Sequence, residues 1–337
     1  MPRFSDMIGH ADTIACLKTA VRQNKVSHAY IIEGKAGIGK RMLADAFAAA
    51  LLCDVNAAGG ESATDGDACG LCRSCHQALT RNHPDIVYVT HEKPRTISVE
   101  EIREQVVGDV DVKPYNGRYK VYIIAEAEKM NAAAQNALLK TLEEPPSYVV
   151  ILLLTTNSAL FLDTIRSRCA AISLKPVQDE LVIRYLMEHQ QLPDYQARLC
   201  AAFAEGSIGK AVLLGSSPQF QEIRELTIHI ASRAKNADVS ELTEMVKKAT
   251  QYRLAVDDLL ELLNVWYRDV LYFKATRNAD QLIFADQLPA IRSDAQTSSY
   301  EGIETILQAL ETARVRLNAY VAFELVMELL FLTIKEN

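Results

Sequence analysis

The sequence contains no long hydrophobic run. Its longest apolar stretches, such as Tyr148–Leu154, fall far short of the ~20 residues that a membrane helix needs. The first ten residues, MPRFSDMIGH, hold no apolar segment of the signal-peptide kind. An excess of positive charge is also missing. The net charge is −7, which excludes nucleic-acid binding by overall charge alone and leaves room only for a local basic strip. There is no internal repeat and no low-complexity tail. These absences predict a soluble, cytoplasmic chain with no membrane partner. In that compartment seven cysteines are thiols or metal ligands rather than disulfides.

What is present is a chain of 337 residues, 49% hydrophobic and 23% charged, a globular composition. At roughly 150 residues per domain it is too long for one core and predicts two or three domains. Residues 10–24 place Ile14, Leu17 and Val21 at helical spacing. Ala29–Ile32 reads as a strand, and 39–53 as a helix. Further apolar runs follow at 86–89, 121–125 and 149–154, with helical stretches near 98–107 and 131–142. Strands alternating with helices predict an α/β domain, a parallel sheet with helices on both faces. After Ser173 the pattern changes, broken by Lys175-Pro176. Helical stretches at 178–190, 194–204 and 207–214 predict a small helical domain. Longer ones at 219–233, 253–275 and 301–334 predict a separate all-helical domain.

The most informative absence is local. Gly34-Lys-Ala-Gly37-Ile-Gly39-Lys40 follows a strand and opens a helix, the context of a phosphate-binding loop. In that motif backbone N–H groups and the Lys surround phosphates, and a following Ser or Thr hydroxyl holds Mg²⁺. Here Arg41 takes the hydroxyl's place and has no lone pair to give a metal. A second motif, Val121–Glu128, is an apolar strand ending in acids. In active nucleotidases its first acid holds Mg²⁺ and its second polarises water. Here the first is Ala125 while Glu126 remains. Both metal-holding groups are therefore replaced, so nucleotide at Gly34, Gly37, Gly39 and Lys40 would bind weakly or not at all. An active ATPase using Glu126 as substitute ligand is the competing reading.

Cys69-x-x-Cys72-x-x-Cys75, with Cys53 upstream, has the spacing of a zinc site. Four thiolates would make it closed and structural. His76 and His83 compete with Cys53 for the fourth position, and reduced thiols are the alternative to a metal. The intervening 56–67 segment, rich in Gly, Ala, Ser and Asp, predicts a mobile loop. Cys16, Cys169 and Cys200 are isolated and read as buried small residues. Ser167-Arg168-Cys169 follows the strand that ends Thr155-Thr156-Asn157. Arg168 there is either a solvated surface residue or a phosphate-seeking guanidinium.

Taken in order, Gly34–Lys40, the four cysteines, Ala127–Met130, Asn136-Ala-Leu-Leu-Lys-Thr-Leu-Glu-Glu-Pro145-Pro146 and Ser167-Arg168-Cys169 closely resemble bacterial clamp-loader subunits of the AAA+ class. The resemblance spans the whole chain. It implies an AAA+ domain at 1–174 with an inserted zinc module at 53–76, a helical lid at 175–216 and a helical collar at 217–337. It also implies a five-subunit ring with gamma/tau motor subunits and a delta subunit, acting on a sliding clamp and primer-template DNA during replication. The motor subunits carry Thr after the loop Lys, an acid at the position of Ala125 and an Arg at that of Gly209. This chain lacks all three. The resemblance therefore implies a non-hydrolysing member whose Arg168, flanked by Ser167 and Cys169, serves as an arginine finger for a neighbour's ATP. A pure scaffold, with loop and arginine as relics, is the remaining alternative.

Overall fold

The computed structural model describes residues 3–58, 64–93 and 96–337. By chain contacts it divides into two compact units. One comprises Met1–Val182 with Ala204–Lys210, the other Ile183–Phe203 with Ala211–Asn337.

The first unit is an α/β sandwich. Its elements are α1 (Ala11–Arg22), β1 (Ala29–Glu33), α2 (Lys40–Leu51), α3 (Asp54–Ala58), α4 (Arg73–Leu79), β2 (Ile86–Val89) and α5 (Val99–Ile102), followed by β3 (Lys120–Ile124), α6 (Ala132–Glu143), β4 (Val149–Thr155), α7 (Asp163–Arg166) and β5 (Ala170–Ser173). All strand pairings are parallel, in the order β2-β3-β4-β1-β5. Side chains alternate across a strand, and this divides the core in two. Tyr30, Ile32, Val121, Ile123, Leu152 and Leu154 pack with α1 and α2 on one face. Ala29, Ile31, Tyr122, Ile124, Ile151 and Leu153 pack with α5, α6 and α7 on the other. Burying each large side chain of this kind is worth about 1.5–3 kcal/mol. Helix α2 is apolar almost all round, as a helix sunk in a core must be. Only Asp45 interrupts the buried run Leu43–Leu51. The ends are set by local chemistry. Asn131 caps α6 by accepting from Ala134 N–H, and Ser98 and Glu101 form a capping box on α5.

Four of the five strands lie where apolar runs predict them. The fifth, Ala170–Ser173, is an edge strand with alternating half-buried and exposed residues, and its small side chains give no apolar run to read. The predicted helix at 98–107 widens into a π turn over Arg103–Val107. Of the segment predicted as a loop at 56–67, residues 59–63 lie outside the described residues. Asn56–Ala58 end α3.

The second unit is built from helices. The chain's later helices are α8 (Asp179–Gln190), α9 (Asp194–Ala204), α10 (Ile208–Gly215), α11 (Pro218–Arg233), α12 (Val239–Gln251), α13 (Val256–Thr276), α14 (Leu288–Thr297), α15 (Tyr300–Asn318) and α16 (Phe323–Glu336). The stretch predicted as one helix over 301–334 is two. Tyr320 adopts a left-handed φ of 59° between α15 and α16, so the two helices fold back and pack on each other. Trp266 is fully buried in α13, with Nε1 donating to Asp294 Oδ2 at 3.0 Å. No helix among the described residues is long and apolar enough to cross a membrane.

Candidate functional site

The loop after β1 sits at the carboxyl end of a strand flanked on both sides by β4 and β5, where open parallel sheets bind ligands. Gly37 and Gly39 take positive φ, 74° and 107°, a conformation that favours glycine. Lys40 turns back onto its own loop. Its Nζ donates to the Gly34 carbonyl at 2.5 Å and to the Lys35 carbonyl at 2.9 Å. Burial lowers the Lys40 pKa, opposed by the charges of Glu128 and Glu126.

Arg41 points elsewhere. Its guanidinium stacks 4.5 Å from the Tyr88 ring centroid and its Nε lies 3.3 Å from Asp45 Oδ1. Arg81 Nη2 also approaches Asp45, at 3.6 Å from Oδ2. Asp45 is the one polar residue in the buried run Leu43–Leu51, and its pKa is raised by burial, with Arg41 acting against that rise. Arg41 thus neutralises an acid in an apolar helix and is not free for phosphate.

The loop is also covered from within its own unit. Gly209 N–H donates to the Gly37 carbonyl at 3.0 Å. Ser207 Oγ donates to the Ala36 carbonyl at 3.0 Å. Lys35 pairs with Glu205 at 2.5 Å. A Cβ on Gly209 would lie 2.9 Å from the Gly37 carbonyl oxygen and 3.1 Å from its Cα. No residue but glycine fits there without moving backbone. Sequence reasoning singled out Gly209 only as the place of a missing Arg. The contact was not legible, because nothing in a local pattern says which loop lies opposite.

Around the second motif, Ala125 follows β3 and offers no ligand atom. Glu126, in a left-handed turn at φ 50°, is bonded to Lys129 at 2.6 Å and lies 3.7 Å from His91. Glu128 accepts from the Thr156 hydroxyl at 2.7 Å. Asn157 turns to cap the next turn, accepting from Ala159 N–H.

The cysteines converge. The Sγ atoms of Cys53, Cys69, Cys72 and Cys75 all lie within 4.8 Å of one another, and Cys69 Sγ is 3.8 Å from Cys75 Sγ. A tetrahedral ion with bonds of about 2.3 Å to sulfur separates its ligands by about 3.8 Å, so the donor set fits zinc. Backbone N–H groups of Cys69, Cys72 and Cys75 point at Cys53, Cys69 and Cys72 sulfurs at 3.3–3.4 Å, which favours thiolates. The Cys75 thiol hydrogen-bonds Cys53, lowering the Cys53 pKa to about 4 and raising that of Cys75. Neither histidine joins the cluster. His76 is exposed, and buried His83 uses Nδ1 to accept from Asp85 N–H at 3.1 Å. Asp67 anchors the module to the chain start, accepting from Phe4 and Ser5 N–H at 3.0 Å. Of the isolated cysteines only Cys200 is buried as expected. Cys169 is half-buried, and Cys16 is exposed on the outer face of α1 beside inward-facing Leu17.

Arg168 stands apart from both sites, on the turn between α7 and β5. Nη1 donates to the Thr164 carbonyl at 2.9 Å and to Ser167 Oγ at 3.3 Å, and Nη2 lies 3.0 Å from Glu143 Oε1. Cys169, half-buried behind it, has its pKa pushed up to about 12 by burial.

Two family models match this chain. One described as "DNA polymerase III, delta subunit" covers residues 9–178, and one described as "DNA polymerase III, delta subunit, C terminal" covers 218–336. The delta' subunit of DNA polymerase III from Bacillus subtilis is 30% identical over 95% of this chain and 94% of its own length. This chain belongs to the delta' family of DNA polymerase III, within the AAA+ clamp loaders. The delta' subunit of Pseudomonas aeruginosa is 33% identical over 79% of this chain and 78% of its own. The tau subunit of Escherichia coli is 33% identical over 63% of this chain but only 32% of its own length. Among solved structures, a gamma subunit-related protein of Thermotoga maritima aligns over 95% of this chain and 98% of its own, at 18% identity and a TM-score of 0.40.

Proposed function

We propose that this delta' subunit is a non-hydrolysing stator of a cytoplasmic clamp loader. It leaves its own nucleotide loop idle and lends Arg168 to the ATP of a neighbouring gamma/tau motor subunit. The observation that carries the reading is a contrast between the two sites. Lys40 is bonded to its own loop, that loop is capped through Gly209 and Ser207, and Arg41 is spent on Asp45. Arg168 remains partly exposed on the surface of the same unit. A guanidinium delivered from a neighbour stabilises charge on a transferring phosphoryl group. The Glu126 alternative is weakened because that carboxylate is already committed to Lys129.

The remaining assignments follow this reading. Residues 1–174 form the AAA+ domain, 175–216 the lid and 217–337 the collar. Leu325, Leu329 and Leu332 form an exposed stripe on α16 while Val326, Met327 and Leu330 face inward, which supports collar packing against the gamma/tau and delta subunits. Cys53, Cys69, Cys72 and Cys75 would hold zinc, whose charge binds four thiolates and closes the module without a catalytic position. The assembled ring would act on the sliding clamp and primer-template DNA.

The test is a reconstituted loader carrying Arg168→Ala. Clamp-stimulated ATP hydrolysis at the served site should fall by about tenfold or more, with clamp loading reduced in parallel. Unchanged hydrolysis and loading would leave a scaffold role only. Robust turnover by the isolated chain, abolished by Lys40→Ala, would favour an active ATPase.

A further inference from the structure

Arg168 is held by an acid from a different element. Thr164 and Ser167, its other partners, belong to its own turn. Glu143 closes α6 and reaches Arg168 because α6 packs on α7. Nearby Arg166 is occupied locally, 2.6 Å from Asp163 in the same turn. The last turn of a helix is an unfavourable place for a carboxylate, since the carbonyl end of the macrodipole is negative. Glu143 therefore does not stand there for the sake of α6. Nor does the pair contribute much to stability. Arg168 and Glu143 are 36% and 50% exposed, and ion pairs that wet are weak.

We propose that Glu143 is a positioning residue for Arg168. A free surface arginine samples many rotamers, and freezing it at the moment of use costs conformational entropy. Glu143 fixes Nη2 while Thr164 and Ser167 fix Nη1. Nη2 meets Glu143 as an ion pair, and among the described residues Nε–H has no partner, so the Nε/Nη2 edge remains for phosphate oxygens. The proposal rests on the trans role given to Arg168, and it adds that the guanidinium is set in place before the neighbour's nucleotide arrives.

The experiment uses the reconstituted loader with Glu143→Ala, Glu143→Gln, Arg168→Ala and the Glu143→Ala/Arg168→Ala pair. Clamp- and DNA-stimulated ATP hydrolysis is measured as kcat and KM, beside the melting temperature of each free subunit. Glu143→Ala should lower kcat by about three- to tenfold, within the range of coupled pairs. KM and melting temperature should hold. Glu143→Gln, which keeps an acceptor oxygen, should recover part of the rate. In the Arg168→Ala background Glu143→Ala should have no further effect. If Arg168→Ala lowers hydrolysis but Glu143→Ala leaves kcat unchanged, the tether is wrong and the trans role stands. An equal loss from Glu143→Ala in both backgrounds also overturns it, because Glu143 then acts elsewhere. If Arg168→Ala itself changes nothing, the trans role fails and the tether with it.

Discussion

Arg41 and Gly209 are better explained by what they touch than by what they replace. Arg41 settles a buried acid and stacks on Tyr88. Gly209 leaves the space that lets residues 205–210 lie on the phosphate loop. Two expectations follow at this scale. Restoring the metal ligands with Arg41→Thr and Ala125→Asp should not by itself produce steady-state ATP turnover, because the loop stays covered. Turnover well above background in the isolated chain would show that missing ligands were the whole defect. Gly209→Ala should destabilise the isolated chain by about 1–3 kcal/mol through overpacking against Gly37, read as a lower denaturant midpoint. An unchanged midpoint would mean the contact is loose. The replaced residues themselves were legible in the sequence, since a motif states which side chain belongs at each place. Their distant partners were not, since Tyr88 lies 47 residues from Arg41 in the chain, on strand β2.

Among the elements, α2 links two sites. It begins at Lys40 and is followed by Cys53, so the phosphate loop and the thiol cluster share one buried helix. Freshly purified protein should carry close to one zinc, measured by elemental analysis. Cys53→Ser should drop this below half an equivalent and lower the melting temperature, because metal binding stabilises only the folded ligand set. Full zinc retention in that variant would return the fourth position to a histidine. The cysteine spacing was readable because a short knuckle needs only local geometry. The choice of Cys53 over His76 and His83 needed the fold. Helices α12 and α14 were not predicted, although Asp238 and Glu241 form a capping box on α12 that marks its start. Strand β5 gave no comparable signal, because edge strands with small side chains carry little periodicity.

Across the molecule, buried acids meet hydrogen-bond donors in both units. The α/β unit pairs its buried acids or gives them backbone donors. Asp85, 1% exposed, accepts from the N–H groups of Tyr115, Asn116 and Gly117. In the helical unit burial raises the Asp269 pKa to about 6, although Phe284 N–H donates to it at 2.7 Å. An acid whose folded pKa lies above its unfolded value binds more protons when folded, so stability falls as pH rises between about 4 and 6. Asp269→Asn should remove that fall, worth up to about 3 kcal/mol at neutral pH. The chain's single tryptophan, Trp266, lies buried in the same unit, and its fluorescence during denaturant unfolding at several pH values provides the measurement. A variant with the same pH slope as the parent would show that Asp269 does not titrate in this range. The sequence by itself determined the α/β-then-helical order, the altered nucleotide motifs, the thiol knuckle and the Ser167-Arg168-Cys169 triplet, because each is written in residues close along the chain. Only the tertiary structure decided that Gly209 caps Gly37, that Arg41 stacks on Tyr88, and that Glu143 reaches Arg168. Those contacts join residues that chain spacing leaves far apart and that packing alone brings within bonding distance.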